Sequence, residues 1–353
     1  MSAEVRADLS RMEGYHSKQV EVEVRLNTNE SPAPPPRAFA EALAKVVLDA
    51  PYHRYPDRAA ADLRAAIAEF HGVARENVFA ANGSNEVLQC VLLAFGGPER
   101  SALVFEPTYA LHSHIAHITG TRVVEAQRDD DFRLSPDSVS AAVRDNDPTV
   151  TFLCSPNNPT GLVESPDVLD AAVAASNGLV VVDEAYGQFS SWSAIDRVRD
   201  DGQIVVVRTF SKTWAMAGLR LGYTVAPANV VAALDAVVLP YHLDTIKQAA
   251  GVLAFQFHAE MEARVAAIKE ERGRILAGLG QLDVDVWPSE SNFVLFRPRA
   301  VAGGEVWDRL IEDSVLVRDC STWPGLDGCL RVTVGTADEN GRFLEALGKA
   351  LVP

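Results

Sequence analysis

Short, mostly apolar runs alternate along this chain with stretches in which apolar residues recur every three or four positions. Seven runs stand out before residue 230: Asn77–Ala81, Ala102–Glu106, Arg122–Glu125, Thr149–Cys154, Leu179–Asp183, Gln203–Arg208 and Leu221–Val225. A run with no polar side predicts a strand buried on both faces. The segments between them carry helical spacing. Leu63, Ile67 and Phe70, for example, share one face of a helix predicted over 58–70. Such alternation predicts an α/β fold: a mostly parallel seven-stranded sheet flanked by helices. In sheets of this kind, active sites lie beyond the carboxyl ends of the strands.

The two flanks read differently. Ser31-Pro-Ala-Pro-Pro-Pro36 is a stiff linker ahead of a helix beginning at Arg37. After Pro240 one long helical stretch runs over 245–278. Short strands follow near 284–287, 292–296, 315–318 and 329–334, with helices near 305–313 and from 338. The expected organisation is an N-terminal arm (1–36), a large α/β domain (37–240) and a small α+β domain (241–353), with the arm packed on the small domain.

Composition narrows the function. The chain has 353 residues, 48% hydrophobic and 23% charged, enough for a large core and a second domain. A net charge of −16 argues against nucleic acid and anionic membranes as partners. No apolar run reaches membrane-spanning length, and the first residues lack a signal-peptide core. Cys90, Cys154, Cys320 and Cys329 show no CxxC spacing, which points to a reducing cytoplasm.

The candidate chemistry centres on Lys212, in Arg208-Thr-Phe-Ser-Lys-Thr-Trp-Ala-Met-Ala-Gly-Leu-Arg220. A lysine at the mouth of a buried strand suits an amine that forms a Schiff base with a phosphorylated aldehyde cofactor. Thr209, Ser211 and Arg220 supply the hydroxyls and forked cation that a phosphate needs. Asp183 ends a buried strand in Val-Val-Val-Asp-Glu-Ala-Tyr186. A carboxylate there is costly unless paired, so it either faces a protonated ring nitrogen or caps the next helix. Gly83-Ser84-Asn85 opens a helix after a strand, as a phosphate site or as an ordinary N-cap. Asn158 sits in the turn-rich loop Cys154-Ser-Pro-Asn-Asn-Pro-Thr-Gly161. His112, His114 and His117 cluster without HExxH order or a clear third ligand, so no metal site is expected.

These motifs, in this order, resemble the fold-type I pyridoxal-phosphate aminotransferases, most closely the histidinol-phosphate aminotransferase branch, from Tyr15 to about Glu345. The resemblance implies pyridoxal 5'-phosphate on Lys212, with Asp183 on its ring nitrogen. Tyr186 and Asn158 fall on its ring oxygen, while Asn157 is structural. Gly83, Ser84, Asn85, Thr209, Ser211 and Arg220 form the phosphate cup, and Tyr109 stacks on the ring. Tyr55, in His-Arg-Tyr-Pro-Asp, reaches the neighbouring site of a homodimer. Arg331 grips the substrate anion, helped by Arg318 and by Tyr15 and Asn29 from the arm. The implied reaction is L-histidinol phosphate with 2-oxoglutarate, a ping-pong step of histidine biosynthesis.

Two related activities stay open: an aromatic amino-acid aminotransferase binding an α-carboxylate at Arg331, and a decarboxylase of a phosphorylated amino acid. The arm also lacks the glycine that often follows its proline, and the loop reads Cys-Ser-Pro rather than Cys-Asn-Pro. These departures bear on the substrate more than on the chemistry. A cofactor-sensing DNA regulator finds no room before Tyr15 and no basic charge. A nicotinamide dehydrogenase needs a glycine-rich turn that Asn82-Gly-Ser-Asn-Glu does not supply.

Overall fold

The structure, a computed structural model, describes Glu4, Arg6, Leu9, Ser10 and residues 20–352. Tyr15 lies outside the described residues.

The chain begins with β1 (Val24–Leu26), α1 (Arg37–Asp49) and α2 (Ala61–His71). Strand and helix then alternate: β2 (Val78–Ala81), α3 (Ser84–Phe95), β3 (Ser101–Glu106), α4 (Leu111–Ile118), β4 (Arg122–Gln127), α5 (Pro136–Asn146) and β5 (Val150–Cys154). They continue with α6 (Pro166–Ala175), β6 (Leu179–Asp183), β7 (Ile204–Thr209), β8 (Gly222–Val225) and α7 (Ala228–Val237). The seven expected runs all become strands of one sheet, in the order β2-β8-β7-β6-β5-β3-β4. Pairing is parallel from β4 through β7, and only β8 is reversed, against both β2 and β7.

Successive side chains explain why the inner strands have no polar face; edge strand β4 alone exposes Arg122, Glu125 and Gln127. Val180, Val182 and Val206 enter the core on one side of the sheet; Val181, Val205 and Val207 enter a separate core on the other. Helices cover both sides, so both alternating sets are buried. Local signals set the helix starts. Ser135 caps α5 with Pro136 in its first turn, Ser165 does the same ahead of Pro166, and Thr336 and Glu339 form a capping box.

Beyond the sheet come α8 (Thr245–Ala254), α9 (His258–Leu279), β9 (Val284–Val286), β10 (Phe293–Pro298), α10 (Gly303–Glu312), β11 (Val315–Asp319), β12 (Leu330–Thr333) and α11 (Ala337–Ala350). The single long helix expected over 245–278 is instead two, joined by a 3-10 turn at Phe255–Phe257. The turn seats the Phe255 ring against Phe70 at 5.0 Å, Trp214 at 5.2 Å and Phe210 at 5.8 Å. Aromatic packing outweighs helix continuity there. A second sheet has the order β1-β11-β12-β10-β9, so the arm contributes a parallel edge strand to it. Among the described residues, no helix is long and apolar enough to cross a membrane.

Candidate active site

The carboxyl ends of β5, β6 and β7, the start of α3 and arm residues 27–30 enclose a cavity of about 380 Å³. Its lining, mostly polar residues, is brought from seven separate segments, Tyr109 and Arg331 among them.

At one end lies a cup of hydroxyls and one arginine. Thr209 Oγ1 lies 3.1 Å from Ser211 Oγ, and Arg220 Nη1 donates to Ser211 Oγ at 3.3 Å. Ser84 and Asn85 complete the cup at the first turn of α3. Gly83, not Ser84, is the cap residue, and no side chain caps this helix. Its N–H groups therefore point at the cup unsatisfied by a cap. Gly83 has φ +84°, and a Cβ on it would sit 2.7 Å from Arg220 Nη2. Gly222 of β8 is equally constrained, since its Cβ would meet Ser84 N at 2.3 Å. Two glycines thus let backbone and guanidinium crowd one spot.

Lys212 stands in the middle. Its Nζ donates to the backbone carbonyl of Thr28 at 3.2 Å and lies 5.7 Å from the Tyr186 ring centre. Burial pulls its pKa down to about 7; Arg331 and Arg220 add to the fall, and Glu30 opposes it. The amine is thus largely a free base slightly above neutrality. Asp183 is 2% exposed. Its Oδ1 accepts from the N–H of Ala185 at 3.0 Å, and its Oδ2 lies 3.0 Å from His112 Nε2. A carboxylate only accepts, so Nε2 carries the proton. His112 stacks flat on Phe152, with centroids 4.7 Å apart, which fixes the imidazole plane. Tyr109 donates to Asn85 Oδ1 at 3.1 Å and presents its ring to the cavity.

The far end is built by the arm and the second sheet. Arg331 donates to Asn158 Oδ1, and to the carbonyl of Asn27 at 3.1 Å. Its Nε is buried without a partner among the described residues. Because Arg331 occupies Asn158 Oδ1, the Asn158 amide N–H groups remain for a ligand. Asn29 donates to the Tyr186 hydroxyl at 2.9 Å. Burial pushes the Tyr186 phenol well above its usual range, so it stays protonated. Asn157 keeps a structural position, bonded to Pro107, Thr108 and Thr160.

Most of the residues singled out from sequence therefore line one cavity: Ser84, Asn85, Tyr109, Asn158, Asp183, Tyr186, Thr209, Ser211, Lys212, Arg220, Arg331 and Asn29. Two do not. Arg318 is the cross-strand partner of Arg331, but its guanidinium lies 5.9 Å over the Trp323 ring, outside the lining. Tyr55 is 80% exposed and stacks on Tyr241 at 4.5 Å. The sequence reading missed Asn27, Thr28 and Glu30 beside Asn29, and also Cys154 at the end of β5. It also missed His112 as the partner of Asp183. Of the three clustered histidines, His112 alone lies on the buried face of α4, and that is the informative sign.

Known proteins resemble this chain over nearly its whole length. The histidinol-phosphate aminotransferase of Thermobifida fusca (strain YX) is 43% identical over 350 residues, covering 97% of this chain and 94% of the relative. That of Mycobacterium avium (strain 104) is 44% identical over 352 residues, covering 97% and 87%. Among solved structures, the histidinol-phosphate aminotransferase from Sinorhizobium meliloti in complex with pyridoxal-5'-phosphate superposes with a TM-score of 0.85 at 23% identity, over 94% of this chain and 91% of that one. The family profile of aminotransferase class I and II matches residues 21–347, and the chain belongs to that family.

Proposed function

We propose that this enzyme transfers the amino group of L-histidinol phosphate to 2-oxoglutarate, in a ping-pong cycle of histidine biosynthesis. One observation carries the reading: the neutral-leaning Lys212 amine shares a cavity with a phosphate-type cup at one end and a buried arginine at the other. Curated relatives of that name, more than 40% identical over nearly the whole chain, support the substrate pair.

Pyridoxal 5'-phosphate is the cofactor of the family. The residues present fit it. Gly83 leaves a cradle that a Cβ would fill, and the cup offers hydroxyls, a guanidinium and helix N–H groups for a phosphate. Thr209, Ser211, Arg220, Gly83, Ser84 and Asn85 would hold the phosphate, and Tyr109 the ring face. Asp183 would hold the ring nitrogen, and Tyr186 and Asn158 the ring oxygen. When bound, the cofactor supplies an electron sink for the charge left on a substrate carbon after proton loss.

The chain's own groups do the rest. Lys212 takes and returns the proton, and a pKa near working pH suits both directions. His112 and the Ala185 N–H hold the Asp183 carboxylate in one orientation. Arg331 binds the anionic group of each substrate in turn, and its unpartnered Nε gives it a further donor for one. The arm screens Lys212 from water through Thr28 and Asn29.

A second reading, an aromatic amino-acid aminotransferase, draws on one feature. Among the described residues, Arg331 is the one guanidinium at the anion end, and a single guanidinium matches a carboxylate as well as a phosphate. Single turnovers of the yellow holo-protein separate the two. Histidinol phosphate should discharge the colour quickly and 2-oxoglutarate restore it, while fast reaction with phenylalanine alone supports the second reading. O-phospho-threonine tests the decarboxylase, which would release carbon dioxide without needing a keto acid.

The homodimer belongs to the same proposal. Tyr55, Tyr241, Tyr52, Leu48 and Leu239 are exposed side chains from neighbouring segments, and Tyr55 would leave its stack on Tyr241 to enter a partner's cup. Sedimentation should give twice the 38.1 kDa chain mass. Four buried thiols support a reducing cytoplasm as the compartment.

A further inference from the structure

Thr333, Asn29 and Tyr186 are linked by hydrogen bonds that run in one direction. The Thr333 hydroxyl accepts from the backbone N–H of Asn29 at 2.9 Å and donates to Asn29 Oδ1 at 3.1 Å. Asn29 Nδ2 then donates to the Tyr186 hydroxyl at 2.9 Å. The reverse amide orientation would leave the buried Thr333 proton without an acceptor, at a cost of about 1–3 kcal/mol. Two further features hold Asn29 in place. Its backbone carbonyl accepts from Asn292 Nδ2 at 3.2 Å. Its φ of +55° is a left-handed conformation that asparagine tolerates better than most residues.

We propose that Thr333 and Asn29 are positioning residues that force the Tyr186 hydroxyl proton to point into the cavity. The oxygen of Tyr186 is already taken as an acceptor by Asn29, so its own proton must find a partner elsewhere. The remaining direction is toward the ligand. Asn29 thus acts through Tyr186 rather than on substrate, a different role from the one its motif suggested. The inference rests on the functional reading above only in naming the ligand group: a ring oxygen with anionic character.

Thr333→Val keeps the shape and suits a strand, but can neither donate nor accept. Thr333→Ser keeps the hydroxyl. In the holo-protein, the pH midpoint of the yellow absorbance should rise by roughly 0.5–1 unit in Thr333→Val, the equivalent of one weakened hydrogen bond. It should return to the native value in Thr333→Ser. In a Tyr186→Phe background, Thr333→Val should add no shift, because the relay acts only through that hydroxyl. An unmoved midpoint in Thr333→Val, or a shift that survives in the Tyr186→Phe background, overturns the proposal. The cofactor-free protein gives a second readout. The 13Cζ resonance of Tyr186, assigned by its loss in Tyr186→Phe, should move in Thr333→Val and not in Thr333→Ser. If pyridoxal 5'-phosphate yields no yellow species at all, the functional reading fails. The relay then stands or falls on that resonance.

Discussion

The two ends of the cavity are built in opposite ways. The cup is made of short-range pieces: Gly83 to Asn85 at one strand–helix junction, and Thr209 to Arg220 around one strand end. The anion end is assembled from the arm, the 154–158 loop and β12, with hydrogen bonds between residues 304 positions apart. A cup of local motifs has its geometry fixed by one sheet. An end made of distant segments depends on how the two sheets and the arm come together, and it is the end where substrates differ.

Lys212 joins the two, so its loss should be the largest effect. Lys212→Ala is expected to lower turnover by ~10⁴-fold and abolish the yellow absorbance; retention of either would remove Lys212 from its role. Arg331→Lys should separate the ends. A lysine lacks the fork, so kcat/KM should fall ~10²-fold with intact cofactor retention. Loss of cofactor in that variant would mean the ends are not independent. Gly83→Ala tests the converse. Crowding of Arg220 and strain at positive φ should weaken cofactor binding ~10-fold, with substrate KM unchanged once the cofactor is saturating.

The pH dependence sharpens the picture. Capture of the cofactor by the empty protein needs the free amine, so its rate should climb with pH through a midpoint of about 7. A midpoint close to the ordinary lysine value of 10.5 would contradict the burial argument. The smallest effect is expected at Arg318. Arg318→Ala should slow a phosphorylated donor ~10-fold more than phenylalanine, provided its guanidinium leaves Trp323 for the ligand. Equal losses on both donors would sink its assignment to phosphate.

The same contrast explains what could be read from the chain. Strands with no polar face, and motifs that keep their members within a dozen residues, are legible because neighbours in sequence are neighbours in space. Six strands of the large sheet and the motifs of the cup were of this kind; edge strand β4 carries exposed polar residues. β1 was not: Val24, Arg25 and Leu26 are too few to show a period, and the strand exists because β11 offers an edge. His112 pairs with Asp183 only because β3, β5 and β6 lie side by side. For Arg318 the adjacent-strand position beside Arg331 was readable. The turn of its guanidinium onto Trp323 was not, because side-chain direction depends on the packed neighbour. The break at Phe255 likewise reflects rings from α2 and from the Lys212 loop, which helix spacing alone does not contain.

The pairing of Asn27 with Arg331 and Asn29 with Thr333 also bears on how the protein is made. Arm residues leave the ribosome well before the strand residues that hold them, which come 304 positions later. Loop closure over such a span adds little to the equilibrium cost, since that cost grows only with the logarithm of length, but it delays the contact. The large sheet can condense while synthesis continues, whereas the arm must wait for β12. A growing or stalled chain therefore offers the cup and the Lys212 amine without the closing strap. Catalytic competence waits on the synthesis of β12, and chains stalled before it are left without a working anion end.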